Sequence, residues 1–154
     1  MVILLEKRNE YPVSIIFADI DDLKAVNDKY GHAAGDDLLQ RTTQLIGQAF
    51  RDGDILARIG GDEFAILLPQ TDGQTAQIIC GRIRDSLKKY NENNPNKPIW
   101  VSYGFSTCEA GSLKKTVMEA DQRMYANKAN RKSKKPAVIP AFAKIISSHP
   151  GTMR

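Results

Sequence analysis

Hydrophobic and polar positions follow two periods along the chain, and the switches between them outline the elements. Val13 to Ala18 is a near-continuous apolar run, the pattern of a strand buried on both faces. It stops at an acidic cluster, Asp19, Asp21 and Asp22, which opens a short helix to about Lys29. After a Gly31-His32 turn, Leu38, Thr42, Leu45, Ile46 and Ala49 mark one stripe of a helix from about Ala34 to Phe50. Asp52-Gly53-Asp54 breaks that helix. Ile55 to Ile59 and Phe64 to Leu68 then read as the two strands of a hairpin around Gly60-Gly61. Ala76, Ile79, Cys80, Ile83, Leu87 and Tyr90 recur at helical spacing between about Gln74 and Tyr90. A polar loop, Asn91 to Pro98, leads into a strand from Ile99 to Ser106. The last clear helix, Leu113 to Lys128, carries Leu113, Val117, Ala120 and Met124 inward. At the ends, Val2 to Arg8 reads as a helix remnant and Ala137 to Ile139 as an edge strand.

The order β-α-α-β-β-α-β-α predicts an α+β fold, a ferredoxin-like antiparallel central sheet flanked by helices. Residues 1–135 form the domain, and 136–154 a C-terminal edge strand and tail. In a split βαβ sheet the first strand pairs antiparallel with the third. The end of the first strand therefore lies beside the start of the third, which brings Asp19 to the Asp62-Glu63 pair.

Three carboxylates meeting at one strand end repel one another unless protons or a cation intervene. Hard oxygen donors without histidine or thiolate favour magnesium, which usually brings substrate phosphates with it. A plainer reading is that Gly60-Gly61 is a tight turn and the acids merely solvate it; spacing alone leaves both open. A glycine pair also lets a flat or anionic ligand approach the backbone closely. Lys24 could reach a phosphate as a point charge, or be an ordinary surface lysine.

Composition narrows the classes. With 42% hydrophobic and 26% charged residues the 154-residue chain is one soluble globular domain, and no apolar run approaches a membrane span. The expectation is a cytoplasmic domain without membrane contact, whatever anchors the parent protein. Cys80 and Cys108 lack metal-ligand spacing and read as small core fillers in a reducing compartment. His32 and His149 are too far apart in the chain to suggest a zinc site. The net charge of +4 is local: Lys128, Arg131, Lys132, Lys134 and Lys135 lie close together, and without these five the 22 basic residues fall one short of the 18 acidic ones. That cluster is a solvated tail or an anion site. No aromatic interleaving or recognition helix accompanies it, so no nucleic-acid partner is expected.

The run Ala57-Arg58-Ile59-Gly60-Gly61-Asp62-Glu63-Phe64 contains the signature of the GGDEF diguanylate cyclase family. Phe17-Ala18-Asp19-Ile20-Asp21, followed by Lys24, Asn27, Asp28, Tyr30-Gly31-His32 and Gly35-Asp36, resembles that family's first block. The resemblance continues through Leu68-Pro69, Val101-Ser102-Tyr103-Gly104 and Ala120-Asp121 with Met124-Tyr125, covering about residues 5 to 132. Several blocks in order at family spacing are very specific.

The resemblance implies a nucleotidyl cyclase that joins two GTP molecules into cyclic di-GMP with release of pyrophosphate. Asp19 and Asp62 would coordinate two Mg2+ ions per half-site, with Mn2+ an alternative and the Ile20 carbonyl assisting. Glu63 would support the metals or the deprotonation of the attacking 3′-hydroxyl. Gly60 and Gly61 would lie against the GTP, Asn27 and Asp36 would read the guanine edge, and Lys24, Lys128 and Lys132 would hold phosphates. Chemistry would need a homodimer, each domain holding one GTP. Arg51-Asp52-Gly53-Asp54, five residues ahead of the signature, resembles the family's Arg-x-x-Asp product-inhibition site, with Arg82 in support. On residues alone, Arg51 to Asp54 is also a favourable helix C-terminus followed by an Asp turn.

The chain departs from the family at three places. The stretch resembling Leu-Thr-Gly-Leu-x-Asn-Arg is absent, so the chain reads as an N-terminally truncated fragment. Arg131-Lys132 stands where Gly-Arg is usual, and Asp22-Leu23 where His-Phe is commoner. Beside the cyclase, two readings stay open: a non-catalytic module binding GTP or cyclic di-GMP, and a relaxed cyclase making mixed purine products, against which Asp36 argues.

Overall fold

The computed structural model describes residues 10–131. The expected Val2 to Arg8 helix, the Ala137 to Ile139 edge strand, the domain boundary at 135 and Lys132 lie outside the described residues. The elements are β1 (Val13–Ile20), α1 (Leu23–Tyr30), α2 (His32–Gly47), β2 (Ile55–Arg58), β3 (Glu63–Leu68), α3 (Gly73–Asn93), β4 (Val101–Cys108) and α4 (Leu113–Arg131). The strands form one sheet in the order β2-β3-β1-β4, every neighbouring pair antiparallel. This is the ferredoxin-like arrangement expected.

All eight residues of β1 are buried, because helices cover both sides of the sheet. Successive side chains alternate between the two faces. Ile16, Ala18 and Ile20 join Leu38, Ile46, Ile83 and Leu87 in one core cluster, under α2 and α3. Val13, Ile15 and Phe17 join Leu113, Val117, Ala120 and Met124 in the other, under α4. Phe64 is buried in the first cluster and anchors β3, as its place after the hairpin suggests.

Several element ends differ from the sequence expectation. Asp19 does not open a helix; β1 continues through it and Ile20, because Asp19 pairs with Glu63 on one side and Ser102 on the other. The chain then turns sharply at Asp22, in the left-handed region at φ 64°, which Asp tolerates better than most residues. The second helix starts at His32 and stops at Gly47 rather than Phe50, leaving Ala49 and Phe50 in a turn. The third runs on to Asn93, where a polar loop was expected. Inside it, the Asn91 amide oxygen accepts from the Ile99 N–H at 2.8 Å while its Nδ2 donates to the Ile99 carbonyl at 3.0 Å. Ile99 is thereby held by a side chain instead of a neighbouring strand, and β4 begins two residues later than periodicity suggested.

Among the described residues β4 is an edge strand, and α4 runs alongside it. Arg123 Nη1 donates to the Phe105 carbonyl at 2.8 Å, Asn127 Oδ1 accepts from the Tyr103 N–H at 3.1 Å, and Arg131 Nη1 donates to the Val101 carbonyl. Three side chains at a spacing of four, one helical face, thus answer backbone groups of the edge. The helix can lie this close because Gly104 has no side chain: a Cβ there would sit 2.1 Å from the Met124 backbone nitrogen.

Candidate active site

The sheet register assembles the acidic site. Asp19 and Glu63 are direct partners across β1 and β3, so their side chains project to the same face. The Ile20 N–H donates to the Asp62 carbonyl at 2.8 Å, tying the hairpin tip to the end of β1. Each of Asp19, Asp62 and Glu63 offers a carboxylate oxygen, and these oxygens lie within 4.8 Å of one another. Asp19 and Glu63 are 2% and 1% exposed; water therefore screens their charges poorly.

One cation already meets the cluster. Lys128, near the end of α4, donates from Nζ to Asp19 Oδ1 at 2.9 Å. Burial pushes the Asp19 carboxyl up to about 6; the Lys128 hydrogen bond opposes the shift, and the charges of Asp62 and Asp21 add to it. Burial pulls the Lys128 ammonium the other way, down, but its bond to Asp19 and the surrounding carboxylates outweigh this and raise its pKa. Three carboxylates against one ammonium leave room for a divalent charge. An all-oxygen donor set with two members nearly dry fits Mg2+, and Mn2+ after it.

The hairpin tip has the bare backbone anticipated. Neither Gly60 nor Gly61 has a positive φ, so the turn itself does not demand glycine. A Cβ on Gly61 would meet nothing within 4 Å, and one on Gly60 would make only ordinary contact with Glu63. What the missing side chains leave is clear space outside the fold. Arg58 holds this tip from behind: its Nε and Nη2 donate to the Gly60 and Gly61 carbonyls at 3.0 and 2.9 Å. Sequence reading gave Arg58 no role, although its place two residues ahead of the glycines was a usable signal.

A second unassigned set steadies the loop after Asp19. Ser102 Oγ donates to Asp21 at 2.9 and 3.1 Å, the Asp21 N–H donates to the Trp100 carbonyl at 2.8 Å, and Arg131 lies 3.6 Å from the Asp21 carboxylate. Ser102 stands in the Val101-Ser102-Tyr103-Gly104 run, but nothing in the sequence pairs it with Asp21, so the tether itself was legible only in three dimensions.

The expected base-reading residues sit on α1 and α2, which pack together. Asn27 points its side chain at Gly35, where a Cβ would stand 1.7 Å from Asn27 Oδ1. That oxygen is buried and accepts no hydrogen bond among the described residues. An orphaned acceptor of this kind suits a ligand N–H. Asp36 is exposed at the adjacent position of α2, and Lys24 is exposed in the first turn of α1.

The Arg51 group lies apart from the carboxylates. Its Nε pairs with Asp54 Oδ1 at 3.2 Å, its backbone N–H donates to Asp54 Oδ2 at 3.0 Å, and Nη2 donates to the Pro69 carbonyl and to Thr71 Oγ1. The Asp54 side chain is 2% exposed while that of Arg51 is 60% exposed, so the acid anchors a guanidinium that still faces solvent. Arg82 is exposed on α3.

The family model described as "Diguanylate cyclase, GGDEF domain" matches residues 3–134. Diguanylate cyclase A of Treponema denticola is 34% identical over 126 residues, 79% of this chain and 34% of its own length. The chain spans between 7% and 40% of the length of this and other curated relatives. Among solved structures, the active GGEEF domain of a diguanylate cyclase from Vibrio cholerae superposes with a TM-score of 0.72 at 30% identity, covering 84% of both chains. The GGDEF domain of DgcB from Caulobacter crescentus, in complex with c-di-GMP, gives 0.71 at 26% identity over 83% of this chain and 78% of that one. Register, acidic cluster, bare hairpin tip and family match agree: this chain belongs to the GGDEF-domain family of diguanylate cyclases.

Proposed function

We propose that this domain condenses two GTP molecules into cyclic di-GMP, as one half of a homodimer. The observation that carries the reading is the convergence of Asp19, Asp62 and Glu63 with Lys128 beside the bare Gly60-Gly61 backbone. Each condensation forms a bond from a ribose 3′-oxygen to the α-phosphorus of the other GTP and breaks the bond to pyrophosphate. The product needs this step twice, once in each direction. One cluster per domain serves one α-phosphate, so two domains face each other.

Asp19 and Asp62, with the Ile20 carbonyl, would hold Mg2+, which supplies charge neutralisation at the phosphates and a lower pKa for the attacking hydroxyl. Glu63 receives the hydroxyl proton or steadies the same cation. Lys128 and Lys24 hold phosphate oxygens, and Lys132 is assigned to the same work from its place in the motif. Gly60 and Gly61 admit the triphosphate to the backbone. Asn27 and Asp36 read the guanine edge; a purine lacking its N–H donors leaves their oxygens unpaired and is rejected. Product returning to Arg51, Asp54 and Arg82 inhibits the enzyme, since arginines clamp phosphate and stack on guanine faces.

The test is turnover by protein stripped of nucleotide, with GTP and Mg2+, products separated by chromatography. Cyclic di-GMP formation rising more steeply than linearly with protein concentration is expected. Asp62→Ala should abolish it at unchanged melting temperature. GTP binding without product from a forced dimer would replace this reading with that of a binding module.

A further inference from the structure

A groove of about 700 Å3 opens beside the β4 edge, between α3 and the C-terminal half of α4. None of Asp19, Asp62 and Glu63 lines it. Leu87 and Ile99 contribute its apolar part, and Trp100, 49% exposed, and Tyr103 add aromatic surface. Arg84, Lys88 and Arg131 line it with one acid, Glu92, and Arg84 also pairs with Asp85 at 3.1 Å, outside the lining. A concave site of this size, mostly apolar with a few convergent charges, has the make-up of a small-molecule pocket. Burial raises the Tyr103 pKa, Cys80 and Asp85 add to the rise, and the charges of Arg84 and Arg131 act against it, which leaves a neutral phenol able to donate a hydrogen bond.

Arg131 connects this groove to the loop that follows Asp19. Its guanidinium lies 5.3 Å from the Trp100 ring centroid, donates to the Val101 carbonyl and stands 3.6 Å from Asp21. Trp100 and Asp21 are also joined through their backbones. An anion entering the groove competes with Asp21 for the same guanidinium.

We propose that this groove binds a small aromatic anion, a flat ring bearing a phosphate or carboxylate, and that Arg131 transmits its occupancy to Asp21. The ring meets Trp100 and Tyr103; the anion meets Arg84, Lys88 and the exposed side of Arg131. Such a ligand would act on the reactive loop from outside it.

Trp100 is the only tryptophan of the chain, so its indole N–H gives one assignable signal. The experiment titrates the 15N-labelled chain, in phosphate-free buffer without nucleotide, with phenyl phosphate and separately with benzoate. A saturable shift of the indole signal is expected, with a Kd of about 1 mM or tighter, the range open to ligands of this size. The Asp21 amide should follow the same curve. Inorganic phosphate and phenol, the two halves, should bind at least about tenfold more weakly. The double variant Arg84→Gln/Lys88→Gln, its spectrum otherwise unchanged, should lose about tenfold or more in affinity. A shift that stays linear to about 10 mM, or an affinity unchanged in the double variant, overturns the site. An indole signal that saturates while the Asp21 amide stays still overturns the coupling. These readouts need no turnover, so they stand or fall separately from the cyclase reading.

Discussion

At the scale of single residues, Gly35 has a job that its own helix would not give it. In a helix interior, Gly→Ala is normally stabilising by about 0.5–1 kcal/mol. Here the added methyl would stand 1.7 Å from Asn27 Oδ1, and that atom is the movable end of a side chain. Gly35→Ala should therefore keep or raise the melting temperature while swinging Asn27 aside. Loss of one base-reading hydrogen bond is worth about 1–1.5 kcal/mol, so calorimetry should find GTP binding weaker by roughly tenfold. Weaker binding with a lowered melting temperature would mean a packing defect instead. Arg51 offers a second test. Its guanidinium is held by Asp54, Pro69 and Thr71 away from the carboxylate cluster. Arg51→Ala should leave the initial rate unchanged and shift the product-inhibition curve to about tenfold higher cyclic di-GMP or more, read from progress curves. The acids, the glycines and Asn27 were all legible in the sequence because each belongs to a motif. Arg58 and Ser102 stand in the same motif runs without a role being read for them: Arg58 grips carbonyls only two and three residues on, a local signal that was passed over, whereas the Asp21 carboxylate reaches Ser102 only in the folded chain.

Elements were easier to find than to bound. Every strand and helix within residues 10–131 was visible in the hydrophobic pattern, and the two-faced burial of β1 follows from its unbroken apolar run. Ends were misplaced where side chains replaced the expected partners, as at Asn91 with Ile99, or where a ladder ran past the apolar run, as at Asp19. The contact of β4 with α4 was invisible to periodicity, because its key residue is an absence. Gly104→Ala would drive a methyl to 2.1 Å from Met124 N and 2.5 Å from the Arg123 carbonyl carbon, both main chain and unable to step aside. Overpacking against backbone should cost at least about 1–3 kcal/mol, measured by urea unfolding. Because α4 also carries Lys128 to Asp19, the surviving folded fraction should bind GTP less tightly.

For the molecule as a whole, buried acids set a dependence on pH. Burial raises Asp121, on α4 and 6% exposed, from 3.8 to about 6. The folded state then keeps a proton that the unfolded chain releases, so this group's contribution to stability is present below about pH 4 and lost as pH rises towards 6. At about 1.4 kcal/mol per pKa unit, the loss amounts to some 2–3 kcal/mol. Asp121→Asn cannot titrate, so its stability relative to the parent should improve by that amount between pH 4 and pH 7; a pH-independent difference would refute the assignment. Asp19 has the same sign in metal-free protein, and a divalent cation at the cluster should oppose its share. An open sheet edge invites any similar strand to add itself, and a stack begun that way seldom comes apart. Here three groups of the outward row of β4, the Phe105 and Val101 carbonyls and the Tyr103 N–H, are answered by Arg123, Arg131 and Asn127. The helix that brings Lys128 to Asp19 thus also covers part of this edge and leaves less open backbone for a copy of the chain to pair with at high concentration.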